Sequence, residues 1–195
     1  MKKYELTAEF IEQWGKKLFR IKALISFGSV EAGELGGYVE KEDNLAQDGD
    51  AWVYGNARVY GDAEVYGNAR VYGDAWVYGN AEVYGNARVY GDAEVYGNAR
   101  VCGDAEVCGD ADYLLIGSIG SRFSFTTFFK NKDKGITVSC GCFLGTIAEF
   151  RAKVTDTHGN NKHAKIYNLA ADMAELQILG EEHFDKLNTN KSEPF

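Results

Sequence analysis

The chain has 195 residues, 45% of them apolar, and a formal net charge of −8 at pH 7. That length suits one or two domains, each able to bury a core. The acidity is local: residues 47–112 hold 12 acids against 4 arginines, while residues 1–46 sum to −1 and residues 113–195 to +1, so no direct nucleic-acid binding is expected through the middle of the chain.

No apolar run is long enough to span a bilayer, and Met1-Lys2-Lys3 leads into polar alternation rather than a signal sequence. A cytoplasmic protein without membrane contact is expected. The four cysteines form no secreted disulfide framework. Cys102 and Cys108 fall on adjacent repeat units, too far apart to bridge.

The first predicted element, residues 1–34, is a β cap. Residues 4–27 alternate as two strands about Trp14-Gly15-Lys16, and a loop from Gly28 to Gly33 follows. Such a hairpin is expected to cover the open strand edge of whatever comes next.

The second element, residues 35–112, is a solenoid. Between Ala51 and Asp112 lie ten hexapeptides of the form A-x-V-Y-G-[N/D], with cysteine in the tyrosine slot at Cys102 and Cys108. A fixed short period marks a repeat architecture. In Ala57-Arg58-Val59-Tyr60 the residues alternate with the strand period of two, so the compact pair Ala57 and Val59 faces inward. Gly61-Asp62 then forms a corner, since these residues tolerate positive φ. Three such sides make one triangular coil, and residues eighteen apart lie above one another. The register extends upstream to Leu35, giving a little over four coils. Tyrosine ladders are expected on all three sides: Tyr54-Tyr72-Tyr90, Tyr60-Tyr78-Tyr96 and Tyr66-Tyr84. The pattern resembles the hexapeptide repeat of left-handed parallel β-helices, the scaffold of many trimeric acyltransferases. The fold class is therefore mainly β: a left-handed parallel β-helix with a small domain after it. That resemblance implies a homo-oligomer, most simply a trimer. The acyltransferases place a catalytic histidine on the coil, whereas His158, His163 and His183 all lie beyond it here. Acyl transfer, or another enzyme activity using the C-terminal cysteines and histidines, is the alternative to a non-enzymatic binding protein.

The third element, residues 113–180, is an α+β domain. Strands are predicted at Tyr113–Ile116, Phe123–Phe129 and Ile136–Phe143, with turns at Gly117–Ser121 and Lys130–Gly135 between them. Thr146-Ile147-Ala148-Glu149 is a capping box that opens a helix with Ile147, Phe150 and Val154 inward. A break at Thr157–Asn161 precedes a second helix over Lys162–Leu179. Residues 181–195 read as a polar tail.

A wider resemblance rests on Tyr4-Glu5-Leu6-Thr7, Leu18-Phe19-Arg20-Ile21-Lys22-Ala23-Leu24, Gly33-Glu34-Leu35-Gly36-Gly37-Tyr38-Val39, Ile116-Gly117-Ser118-Ile119-Gly120-Ser121-Arg122 and Cys140-Gly141-Cys142-Phe143-Leu144-Gly145-Thr146. With the repeats, these resemble a hexapeptide-repeat family of phages and prophages of Gram-positive bacteria. The resemblance brings no reaction with it. It implies an accessory protein in the bacterial host cytoplasm that inhibits or sequesters a host factor, such as a defence protein or its phosphate-bearing small-molecule signal.

The varied chemistry lies in residues 117–163. The Gly/Ser turn ending at Ser121 and Arg122 suits an anion, bound by backbone N–H groups and clamped by a guanidinium. Ser121, Arg122, Lys130, Thr157, His158 and Asn160 form the expected ligand-binding set if that turn packs beside the helix break. Cys140 and Cys142, read on one strand face, are weak metal candidates with His158 and His163, at a spacing that fits no established zinc pattern. No cofactor and no catalytic residue is assigned.

Overall fold

The computed structural model of the chain describes residues 1–182. The chain is mainly β and divides into two units, Met1–Asp110 and the part from Ala111 on.

The first unit opens with strands β1 (Tyr4–Gln13) and β2 (Lys16–Ala23), joined by a two-residue turn with positive φ at Trp14 and Gly15. Strand β3 (Leu35–Val39) follows. Ten two-residue strands come next: β4 (Trp52–Val53), β5 (Arg58–Val59), β6 (Glu64–Val65), β7 (Arg70–Val71), β8 (Trp76–Val77), β9 (Glu82–Val83), β10 (Arg88–Val89), β11 (Glu94–Val95), β12 (Arg100–Val101) and β13 (Glu106–Val107). They stack in parallel as three sheets, ordered β3-β5-β8-β11, β4-β7-β10-β13 and β6-β9-β12, which is a parallel β-solenoid of about four coils. The register is eighteen throughout the repeats, as in Arg58 against Trp76 and Val59 against Val77.

The hexapeptide explains each side of the coil. Ala57, Val59, Ala75 and Val77 are fully buried, like their counterparts in every unit, so the core is a column of small side chains. Each side gives its backbone to the next coil: Arg58 N–H to Ala75 O at 2.9 Å, Tyr60 to Val77 O at 3.0 Å and Asp62 to Gly79 O at 2.8 Å. The corner glycines are required. Gly61 has φ of +73°, and a β-carbon there would lie 3.1 Å from the Gly79 carbonyl of the coil above. The tyrosine ladders form as the spacing predicts, with ring centroids 5.0 Å apart for Tyr60–Tyr78, 4.8 Å for Tyr66–Tyr84 and 4.9 Å for Tyr72–Tyr90. Stacking half-buries most of these rings. Acids brace them: the Tyr66 hydroxyl donates to Glu82 at 2.9 Å and Tyr78 to Glu94 at 3.0 Å.

Two features of the first coil differ from the expectation. Tyr38 pairs with Arg58 and Leu45 bridges to Val65, a spacing of twenty rather than eighteen. The two extra residues lie between Leu45 and Val53, in the corner Gln47-Asp48-Gly49-Asp50. Lys3 fills that corner: it is buried, and its Nζ donates to the carbonyls of Asp48, Gly49 and Ala51 at 3.2, 3.4 and 3.0 Å. Burial pulls its pKa down to about 8, against the pull of Asp48 and Asp50. The hairpin also joins edge-on rather than lying across the coil, because β2 pairs antiparallel with β3 and extends one side into a six-stranded sheet, β1-β2-β3-β5-β8-β11. Pairing satisfies the open edge directly. Tyr4 and Phe27 then close over Trp52, at 6.0 and 5.4 Å between centroids, which leaves that tryptophan fully buried.

The second unit is a four-stranded antiparallel sheet in chain order, β14 (Tyr113–Ile119), β15 (Ser124–Lys130), β16 (Ile136–Cys140) and β17 (Phe143–Thr146), with helices α1 (Ile147–His158) and α2 (Lys162–Leu179) packed against it. The capping box at α1 is present: Thr146 N–H donates to Glu149 at 2.8 Å, and Glu149 N–H donates to the Thr146 hydroxyl at 3.3 Å. Asn161 caps α2 by accepting from the N–H groups of His163 and Ala164 at 2.8 and 3.1 Å. Phe128, Val138, Phe150, Val154, Tyr167 and Ala171 lead the core. Arg151 ties the helices together, with Nη2 2.7 Å from both Asp172 and Glu175. No described helix is long and apolar enough to cross a membrane.

Candidate functional site

The reading of Cys140 and Cys142 as two thiols on one strand face is corrected. Gly141 has φ of +60°, and Cys140 pairs with Phe143, so Gly141-Cys142 is the tip of a two-residue hairpin between β16 and β17. Cys140 stays in the sheet, accepting from the Thr126 hydroxyl at 3.2 Å, while Cys142 is exposed at the tip. None of the four thiols is in a disulfide.

The tip is one wall of a cavity of about 360 Å³ within the second unit. Another part of the wall is the turn between β14 and β15, carrying Ser121 and Arg122. This turn is seated by Gly120, whose φ is +76°, and a β-carbon there would run into the Tyr167 hydroxyl. The Ser118 hydroxyl closes the turn on Phe123 O at 2.7 Å. The Arg122 guanidinium lies over the hairpin tip, with Nη1 3.9 Å from where a Gly141 β-carbon would stand. The last turns of α1 supply Lys153, Thr157 and His158. Phe143, Phe150, Val154 and Tyr167 line the cavity as its apolar part. Phe150 packs edge-on to Tyr167 at 5.6 Å, and the His158 ring stacks on Tyr167 at 5.8 Å. Burial raises the pKa of the Tyr167 hydroxyl, the neighbouring Cys140 thiol raises it further, and Arg122 works against both. Tyr167 is thus a neutral hydroxyl at the base of a cation-rimmed cavity at neutral pH.

Of the expected binding set, Ser121, Arg122, Thr157 and His158 line this one cavity. Two members do not. Lys130 is at the far end of β15, paired with Asp112 at 2.9 Å. Asn160 lies in a separate groove along α2, with Thr155, Ala164, Lys165, Asn168 and Asp172. Cys140 and Cys142 line the cavity, and His163 stands beside it with its ring 5.8 Å from that of His158. Among the described residues, no group of three or more His, Cys, Asp or Glu side chains is gathered for a metal ion.

The sequence reading missed Ser124, Lys153 and Tyr167. Lys153 could have been found, because it precedes Thr157 by one helical turn and so shares its face. Tyr167 reads from its spacing as an ordinary core position, and it is one.

Within the solenoid, residues 51–64, 63–79 and 81–95 match the YdcK Beta solenoid repeat. The chain carries that repeat. The match covers less than a quarter of the chain and does not reach the second unit. No protein of curated function matches the chain.

Proposed function

We propose that this protein is a non-enzymatic binding protein whose C-terminal cavity takes a small phosphate-bearing ligand. The observation that carries the reading is the lining itself: Arg122, Lys153 and His158 share the cavity with the hydroxyls of Ser121, Ser124, Thr157 and Tyr167, and among the described residues no carboxylate lines it, the nearest partner of Lys153 being Asp156 at 3.6 Å. In a chain of net charge −8, a pocket with only cationic and neutral groups favours an anion. The size, about 360 Å³, is at the small end of ligand pockets. The aromatic part, with His158 stacked on Tyr167, gives an unsaturated ring a surface beside the charge. A nucleoside monophosphate has both parts. Together with the resemblance to phage and prophage proteins, this supports a protein that sequesters a phosphate-bearing small molecule of a bacterial host.

Calorimetric titration with AMP, adenosine and inorganic phosphate tests the reading. AMP is expected to bind one per chain and adenosine far more weakly. Arg122→Ala removes a charged hydrogen-bonding partner worth about 1.5–3 kcal/mol, a loss of roughly tenfold or more in affinity. AMP recovered unchanged after incubation is expected for a binder. Equal binding of AMP and adenosine, no binding of any of the three probes, or unchanged affinity in Arg122→Ala would overturn it.

A further inference from the structure

Helix α2 buries one face, through Ala164, Tyr167, Ala170, Ala171, Ala174 and Ile178. Its opposite face is also apolar. Ile166, Leu169, Met173 and Leu176 are 39%, 62%, 57% and 46% exposed, the densest run of large exposed apolar side chains on any described element. Their spacing of three, four and three residues puts all four on one narrow stripe, the seam of a two-stranded coiled coil rather than the wider face of a core helix. A stripe of this kind on a soluble domain marks an interaction surface.

We propose that this stripe is where two copies of the chain meet, with their α2 helices antiparallel about a two-fold axis. The sequence of the stripe identifies the occupant. Spacing of three, four and three reads the same in both directions, so an antiparallel copy meets it in register: Ile166 faces Leu176 of the second copy, and Leu169 faces Met173 of the second copy. Such a self-complementary patch is what an isologous contact requires. The charges agree. Exposed Lys162 and Lys165 occupy the amino-terminal end of the helix, and exposed Glu181 and Glu182 follow its carboxy-terminal end. Antiparallel pairing brings each basic end to the acidic end of the other helix, where the negative end of the helix dipole adds to the attraction. A parallel pairing sets like against like. The tyrosines of the solenoid are weaker candidates for self-association, because stacking already half-buries most of them. Four apolar side chains per copy make a contact below the standard size for stable complexes, so the dimer is expected to be reversible and concentration-dependent. The proposal does not depend on the ligand reading.

Sedimentation equilibrium of the full chain, from about 1 to about 300 µM, tests it. The expected result is a monomer–dimer equilibrium with a dissociation constant inside that range. Leu169→Glu and Met173→Lys are each expected to raise the constant at least about tenfold while leaving the circular dichroism spectrum unchanged, since both positions are exposed. Mixing the two variants is expected to restore dimer, because the new acid on one copy then faces the new base on the other. A wild-type monomer throughout the range overturns the proposal. So does a trimer, or a dimer unmoved by either substitution, which would place self-association on the solenoid. Loss of dimer in both variants without recovery on mixing rules out the antiparallel register.

Discussion

Arg151 is the side chain on which the cavity's two helices depend, and removing it gives a measurable prediction. Its guanidinium donates to Asp172 and Glu175, each at 2.7 Å, and to the Asn168 side chain at 3.1 Å. Glu175 is 6% exposed, so Arg151→Ala leaves a buried carboxylate without its cation. Breaking a buried pair on one side costs about 3–5 kcal/mol, more than the pair itself contributes over an apolar substitute. With a urea slope of about 2 kcal/mol/M for a small domain, the midpoint should fall by about 1.5–2.5 M. The chain separates the two units spectroscopically. Trp14, Trp52 and Trp76 all lie in the first unit, while α1 and α2 lie in the second. Tryptophan fluorescence therefore follows the solenoid, and ellipticity at the helical minimum follows the second unit. Arg151→Ala should move the second transition and leave the first in place. The double variant Arg151→Ala/Glu175→Gln should recover much of the loss, because the uncompensated charge is gone. A shift of the helical midpoint below about 0.5 M, or no recovery on neutralising Glu175, would refute the reasoning.

Other outcomes follow from the same geometry. Gly120→Ala should weaken AMP binding more than it lowers stability, because the new β-carbon meets Tyr167 at positive φ and displaces the turn carrying Arg122; titration of the folded variant checks this, and unchanged binding would contradict it. Alkaline pH should act on the solenoid with two opposite signs. Lys3 has a folded pKa of about 8, below its unfolded value near 10.4, so the unfolded state binds more protons between those values and stability rises with pH there. Tyr84 is pushed up to about 12, by burial first, and Tyr66 and Tyr78 are raised by burial and by hydrogen bonds to Glu82 and Glu94. Unfolded tyrosines ionise near pH 10, so stability is lost as pH climbs from about 10 through the folded values. Urea midpoints by tryptophan fluorescence at several pH values should peak near the crossover, and tyrosinate absorbance should appear late, together with unfolding. A single absorbance step near pH 10 with the fold intact would contradict this.

The solenoid was legible because its residues act locally and identically. Ala57 and Val59 are inward in one coil for the same reason as in the next, and Gly61 is a corner wherever it recurs. The first coil was harder. The step from Val39 to Leu45 keeps the period of six, but the two-residue excess at Gln47-Asp48-Gly49-Asp50 goes with Lys3, some 45 residues earlier, whose ammonium ion binds the carbonyls of that corner. A lone lysine near an amino terminus carries no sign of burial. The hairpin's strands were readable from alternation, but their edge-on pairing with Leu35–Val39 is a tertiary choice between two ways of covering one open edge.

The cavity was legible to the extent that its groups sit on turns. Ser121-Arg122 and Thr157-His158 announce themselves by chemistry, and two glycines at positive φ shape the turns that form the cavity. Gly120 lets its turn rest on Tyr167, and Gly141, with φ of +60°, lets the chain reverse at the hairpin tip. Lys130 failed as a candidate for a reason visible only in three dimensions. The turn it precedes opens at the opposite end of β15 from Arg122, and a seven-residue strand at about 3.4 Å per residue separates the two by some 20 Å. Proximity in sequence to a promising turn is thus a poor guide along a strand, whereas one helical turn, as from Lys153 to Thr157, keeps side chains on the same face. The same logic gives the exposed stripe on α2 its meaning. A helix that needed only to cover the sheet would carry one apolar face, and the inward alanines with Tyr167 and Ile178 supply that face. Ile166, Leu169, Met173 and Leu176 are outside the core cluster of the domain and expose apolar surface to water at a cost, and the proposed contact with a second copy would account for their spacing.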